Sequence, residues 1–213
     1  MTHTLLRTSL EQAIHAAGFD LYLVPMVDEF QGEYIPAYAA RLPYVTGFDG
    51  SAGLGVFWAS PSETKRHTLF VDGRYTIQAA KQVDGSAIEV INSGDVSFLD
   101  WLAKQDATLR VGFDPWLVTQ AQCEGWAKAT ATQGVTWVAH QPNLVDSIWQ
   151  EQPAPPSGII ELHDEALAGA SYAQKRADVI DIVKKNGAES VLLTQPDGIN
   201  WLLNTRGGDV PFN

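Results

Sequence analysis

One run of the sequence concentrates the residue types that can do chemistry: Arg41-Leu42-Pro43-Tyr44-Val45-Thr46-Gly47-Phe48-Asp49-Gly50-Ser51-Ala52-Gly53. Three glycines, Gly47, Gly50 and Gly53, fall within seven residues and enclose a carboxylate, Asp49, and a hydroxyl, Ser51. Glycine permits positive φ and close backbone approach, so the run predicts a sharply bent loop with exposed amides. Such amides can cradle an anion. A tight connection that binds nothing has the same composition, and the residues alone leave both readings open. No Gly-Lys-Ser/Thr follows, which excludes a P-loop. The segment precedes a strand and lacks the spacing of a dinucleotide fingerprint. Gly50-Ser51-Ala52-Gly53 lacks the spacing of a nucleophile elbow.

Elsewhere the chemistry is thinner. In Asp72-Gly73-Arg74-Tyr75, Asp72 is expected to cap the next helix and Arg74 to pair with a nearby carboxylate. The five histidines, His3, His15, His67, His140 and His163, include no pair at i, i+4 and no His-Glu-x-x-His, so no metal site is expected. His163-Asp164-Glu165 reads as a solvated loop. The single cysteine, Cys123, excludes an internal disulfide and reads as a small core or boundary residue.

The loop needs packed elements to hold it. Leu54 to Trp58 and Thr68 to Val71 read as strands, joined by Ser60 to Lys65 as an antiparallel pair. Tyr34 to Ala40 is expected to be helical, with Pro36 confined to a first turn. Upstream, Leu6, Leu10, Ala13 and Ala17 mark an amphipathic helix stopped by Gly18, and Leu21 to Val24 a buried strand. Downstream come a helix over about 74–83, a strand at Ile88 to Ile91, and a helix capped by Asp95 or Ser97. A strand at Arg110 to Phe113 follows, then a helix from Thr119 to about Gln133, a strand at Val135 to Ala139 and a short helix over Leu144 to Trp149. This alternation predicts an α/β domain over 1–150 with a mixed sheet flanked by helices. Pro153, Pro155 and Pro156 make 151–158 a linker. Residues 159–213 read as an incomplete second α/β domain: an extended Ile159 to Leu162, a helix over Tyr172 to Asn186, a strand at Ser190 to Leu193 and a helical turn or two from Pro196. The order helix, glycine stop, strand and glycine-rich turn recurs at 5–53 and 172–208, so the second unit resembles the start of the first. Its apolar helix face and strand edge would be satisfied by pairing with another copy of the chain, a homodimer contact.

Hydrophobic residues make up 45% of the chain and aromatics 10%, enough for a packed core. The formal net charge of −11 argues against nucleic acid or an anionic membrane as partner. No apolar run reaches the length of a membrane span, and the first fifteen residues lack the apolar stretch of a signal peptide.

The run Arg41 to Gly53 also carries a resemblance. With Val71 to Tyr75, Gln78 to Gln82, Val111 to Pro115, Asn143 to Trp149 and Ile199 to Val210, it resembles the amino-terminal region of the three-domain Xaa-Pro aminopeptidases (peptidase family M24), whose catalytic domain has the creatinase or pita-bread fold. The resemblance runs from end to end of the chain. It implies a creatinase N-terminal-like fold, a cytoplasmic protein, and a non-catalytic part of a metallopeptidase that removes the residue preceding proline from proline-containing peptides. It implies that the metal ligands, two aspartates, one histidine and two glutamates holding two divalent ions, typically manganese, lie in a third domain beyond these residues. The chain by itself is then inactive, without cofactor, and shapes the substrate cleft and the assembly. On that footing Arg41, Phe48, Asp49, Gly50 and Ser51 become substrate-cleft candidates, Phe48 for apolar contact and Arg41 for a carboxylate or carbonyl. The rival reading is a stand-alone binding module on the same fold. A small-molecule enzyme using the glycine loop is a third, and it requires a ligand in that loop.

Overall fold

The computed structural model describes residues 2–105 and 108–211; positions 212 and 213 of the expected second unit lie outside them. The chain divides into two compact units, Met1–Val27 with Tyr38–Pro153, and Asp28–Ala37 with Ala154–Asn213. No helix among the described residues is long and apolar enough to cross a membrane.

The first unit begins with α1 (His3–Ala16), which buries Leu6, Leu10 and Ile14 at helical spacing and ends at Gly18 with φ +75°. β1 (Leu21–Pro25) buries four consecutive residues, the pattern of a strand covered on both faces. A single 3-10 turn, Ala37–Ala39, precedes α2 (Arg41–Thr46). Then come β2 (Leu54–Trp58), β3 (His67–Val71), α3 (Thr76–Gln82), β4 (Ile88–Asn92), α4 (Phe98–Leu102), β5 (Arg110–Phe113), α5 (Gln120–Ala129), β6 (Thr136–Ala139) and α6 (Leu144–Ile148). The six strands form one mixed sheet in the order β4-β3-β2-β1-β5-β6. β1 and β2 are antiparallel with Leu21 opposite Trp58, and β2 and β3 are antiparallel. The β3–β4, β1–β5 and β5–β6 pairs are parallel. On one face Leu21, Leu23, Val56, Trp58, Phe70, Val111 and Phe113 pack with α4 and the partly buried Trp126 and Trp137. Strand alternation sends Tyr22 and Val24 to the other face, where α1, α2 and α6 lie. Ser97 caps α4, and Thr119 with Gln122 forms a capping box on α5.

The second unit contains β7 (Ile160–Leu162), α7 (Glu165–Ala168), α8 (Tyr172–Lys185), α9 (Pro196–Leu203) and β8 (Thr205–Gly207). Its sheet has two antiparallel strands, β7 and β8.

Three expectations need correction. Arg41 to Thr46 is helix rather than loop, because Pro43 sits in the first turn, where its missing N–H costs nothing. Tyr34 to Ala40 accordingly supplies only the 3-10 turn. Ser190 to Leu193 forms no strand: among the described residues no neighbour offers it a ladder, and Leu192 is 84% exposed.

Candidate functional site

The glycine loop starts where α2 stops. Gly47 adopts φ +80° and its N–H returns to Pro43 O at 2.8 Å. Thr46, buried, donates its hydroxyl to Leu42 O at 2.7 Å and accepts the Phe48 N–H at 3.0 Å, which turns the chain inward. Phe48 is 0% exposed and meets the Tyr75 ring edge to face at 5.8 Å between centroids. Gly50 passes over this pair so closely that a Cβ there would run into both rings. The apolar residue of the loop is therefore its anchor.

Two loop side chains face solvent. Asp49 accepts from Gln78 Nε2 and Gln82 Nε2, both at 2.7 Å, and its own N–H reaches Gln82 Oε1 at 3.3 Å. Ser51 Oγ and Tyr75 Oη are 2.7 Å apart. Residues from α3 and the turn before it thus orient the exposed carboxylate and hydroxyl. Beside them Asp72 closes a turn on the Arg74 N–H at 2.9 Å and pairs with its guanidinium at 2.8 Å. Those hydrogen bonds from Arg74 hold the Asp72 carboxyl below its ordinary value. Asp72 does not cap α3, which begins at Thr76 with no side-chain cap, because the carboxylate is already committed to Arg74.

Arg41 points away from the solvent. Its Nε and Nη2 make a bidentate pair with Asp146 Oδ1 and Oδ2 at 2.7 and 2.8 Å, and its side chain is 9% exposed. Asp146 also accepts from Gln152 Nε2 at 2.9 Å. Tyr44 stacks on Trp149 at 4.2 Å with the rings 10° from parallel. Together these contacts fasten α2 to α6 and to the segment after it. Of the five residues expected to face a ligand, Asp49 and Ser51 are exposed, whereas Arg41, Phe48 and Gly50 are buried and build the loop from beneath.

A second polar assembly was not read from the sequence. His67 is 2% exposed; its Nδ1 accepts the Trp58 N–H at 3.2 Å and its Nε2 stands 2.9 Å from Glu11 Oε1. Nδ1 is thereby an acceptor, so Nε2 carries the proton and donates to Glu11. Burial pushes the imidazole below its ordinary 6.5, with the Glu11 hydrogen bond opposing. One turn before Glu11, the buried Arg7 pairs with Asp84 at 2.8 Å. The available signal was Arg7 and Glu11 at i, i+4 beside the apolar stripe of α1. This assembly joins α1 to β3 and opens onto no described cavity.

Among the described residues, no three His, Cys, Asp or Glu side chains are grouped to hold a metal ion. The described residues therefore offer no ligand set for a two-metal centre, which the sequence resemblance places in a third domain. What the loop presents to solvent is one carboxylate and one hydroxyl, held in place by neighbouring amides and a phenol.

The sequence pattern described as "Creatinase/Prolidase N-terminal domain" matches residues 7–148, and a second pattern with the same description matches residues 151–213. The chain belongs to the creatinase/prolidase N-terminal domain family. Among curated relatives it is 34% identical to a probable Xaa-Pro aminopeptidase P of Aspergillus niger, over 97% of this chain and 33% of that protein. It is 33% identical to the Aspergillus flavus counterpart, over 96% of this chain and 31% of that one. The chain thus spans about a third of the length of the curated relatives it matches. Among solved structures, an X-prolyl aminopeptidase from Caenorhabditis elegans, described as a cytosolic enzyme with a di-nuclear active site, superposes with a TM-score of 0.88 at 26% identity. It covers all of this chain and 36% of its own. The N-terminal domain of the cytoplasmic peptidase PepQ from Mycobacterium tuberculosis superposes with a TM-score of 0.52 at 26% identity, over 68% of this chain and 98% of that one. This creatinase/prolidase N-terminal domain therefore has its likeness in Xaa-Pro aminopeptidases along its whole length.

Proposed function

We propose that these residues are the non-catalytic amino-terminal part of a cytoplasmic Xaa-Pro aminopeptidase. In it, the loop Gly47–Gly53 presents Asp49 and Ser51 toward the peptide, while Arg41, Phe48 and Gly50 hold that loop rigid. The observation that carries the reading is the end-to-end superposition on the Caenorhabditis elegans enzyme. The division of labour within the loop is supported by burial: a binding loop is most precise when its anchors are locked by packing and only its polar tips are free. The metal pair, manganese in this reading, belongs to a catalytic part outside these residues. Apolar side chains of the second unit, such as Leu162 at 87% exposed, are surface for the same part to cover.

The test uses the chain joined to the polypeptide encoded after it. Asp49→Ala and Ser51→Ala are expected to lower kcat/KM for an Xaa-Pro tripeptide several-fold while leaving the melting temperature unchanged. Unaltered kinetics in both variants would return the loop to a purely structural connection.

A further inference from the structure

Lys175 is the only side chain of α8 that the fold buries, at 4% exposed. Its Nζ donates to Trp201 O at 2.9 Å and to Asn204 Oδ1 at 2.6 Å, and the ammonium lies 4.9 Å from the centre of the Trp201 ring. Every one of these partners is neutral, and no carboxylate pairs with Lys175 among the described residues. A buried cation without a counter-ion is costly. Part of the offset is visible. Trp201 O and Asn204 stand at the carbonyl end of α9, where the helix dipole is negative, and Asn204 is a left-handed cap at φ +51°. That end occupies two of the three ammonium protons, and no acceptor for the third lies among the described residues.

The surroundings point to what accepts it. Lys175 lines a hollow of about 220 Å³ together with His163 and Arg206, and the only acidic side chain in the wall is Asp197. Neither His163 nor Arg206 has a side-chain hydrogen bond or ion pair among the described residues. Asn200, whose Oδ1 accepts from Thr205 at 2.7 Å, keeps its amide N–H groups available in the same wall. Two basic side chains, Lys175 and Arg206, thus meet in one wall of a chain whose net charge is −11.

We propose that this hollow binds a small oxyanion, a phosphate or a short carboxylate, through the Lys175 ammonium and the Arg206 guanidinium, with the Asn200 amide as a neutral donor. Lys175 supplies a buried charge and Arg206 a planar fork, while Asp197 in the same lining opposes the anion. The inference is independent of the peptidase reading, since it needs only the second unit.

Titration of the whole chain with inorganic phosphate, and separately with acetate, at constant ionic strength set with chloride, tests it by NMR. The expected result is saturable shifts of the Asn200, Trp201 and Asn204 signals at millimolar concentrations of at least one of the two anions; which one saturates first tells phosphate from carboxylate. Arg206→Gln, at an exposed position of β8, is expected to weaken that binding about tenfold, the loss of one charge-assisted hydrogen bond. Asp197→Asn is expected to tighten it, and Lys175→Met to abolish it. Should Lys175→Met unfold the unit, the Arg206→Gln and Asp197→Asn pair decides. Shifts that do not saturate, that persist unchanged in Arg206→Gln, or that spread evenly over other basic residues would overturn the site.

Discussion

The two units use the same materials to different ends. In the first, β1 has a neighbour on each side, β2 and β5, and Leu21, Leu23 and Val24 are all at most 1% exposed. In the second, Val191, Leu192 and Leu193 form an equally apolar run, yet no strand joins them and Leu192 is 84% exposed. α1 buries three aliphatic residues and an arginine, whereas the only residue α8 buries is Lys175. An apolar run becomes a strand only where a ladder receives it, and an amphipathic helix becomes a core helix only where a layer covers it. The first unit supplies both and holds the glycine loop on packed anchors. The second exposes the groups that an interface or further polypeptide would use.

Substitutions can break this contrast. The largest effect is expected at Phe48, where replacement by Ala removes a fully buried ring from under Gly50 and should cost about 3–5 kcal/mol in denaturant unfolding of the first unit. Leu192→Ala, by contrast, should stay within about 0.5 kcal/mol of the parent. Comparable losses at both sites would erase the distinction. Arg41→Ala strands Asp146 next to Gln152 and should cost about 2–3 kcal/mol, less than for a fully buried pair because Asp146 is 26% exposed. Arg41→Lys should recover only part of this, since it cannot make the bidentate contact. Gly50→Ala forces the two rings apart and should cost about 1–3 kcal/mol.

A smaller, pH-dependent effect is confined to the first unit. Burial keeps the folded His67 pKa below the ordinary 6.5. As the pH falls, the unfolded chain takes up this proton before the folded one does. The stability contributed by neutral His67 is therefore complete above about pH 6.5 and is lost as the pH drops from there toward the folded value. Melting temperatures between pH 8 and pH 5 should show that decline in the parent and not in His67→Gln. Asp72 and Asp84, whose carboxyls are held below the ordinary value, act at more acidic pH, so they do not mimic it. An identical slope in the variant would remove His67 from the account.

Much of the first unit was legible because its signals are local. Leu54 to Trp58 and Val111 to Phe113 are apolar runs between turn residues, and Thr119 announces a capped helix start. The glycine loop was legible as a loop, but which of its residues are anchors was not. Phe48 and Arg41 look like ligand contacts in a one-dimensional reading. Only the fold brings Tyr75 onto one and Asp146, 105 residues away, onto the other. The His67–Glu11 contact, 56 residues apart, was hidden for the same reason. In the second unit the failure was of another kind: the β-propensity of Ser190 to Leu193 was read correctly, but a strand also needs neighbours, and those are supplied by topology rather than composition.

The central claim is that these residues shape a peptidase without containing its catalytic centre. The most direct measurement is proline release from an Xaa-Pro tripeptide in the presence of manganese, by the 213-residue chain and by the same chain extended through the reading frame that follows it. The account predicts no release above the metal-only control from the first and steady turnover by the second. Release by the 213-residue chain that is abolished by a substitution within it, or an extended chain that stays inactive, would contradict it.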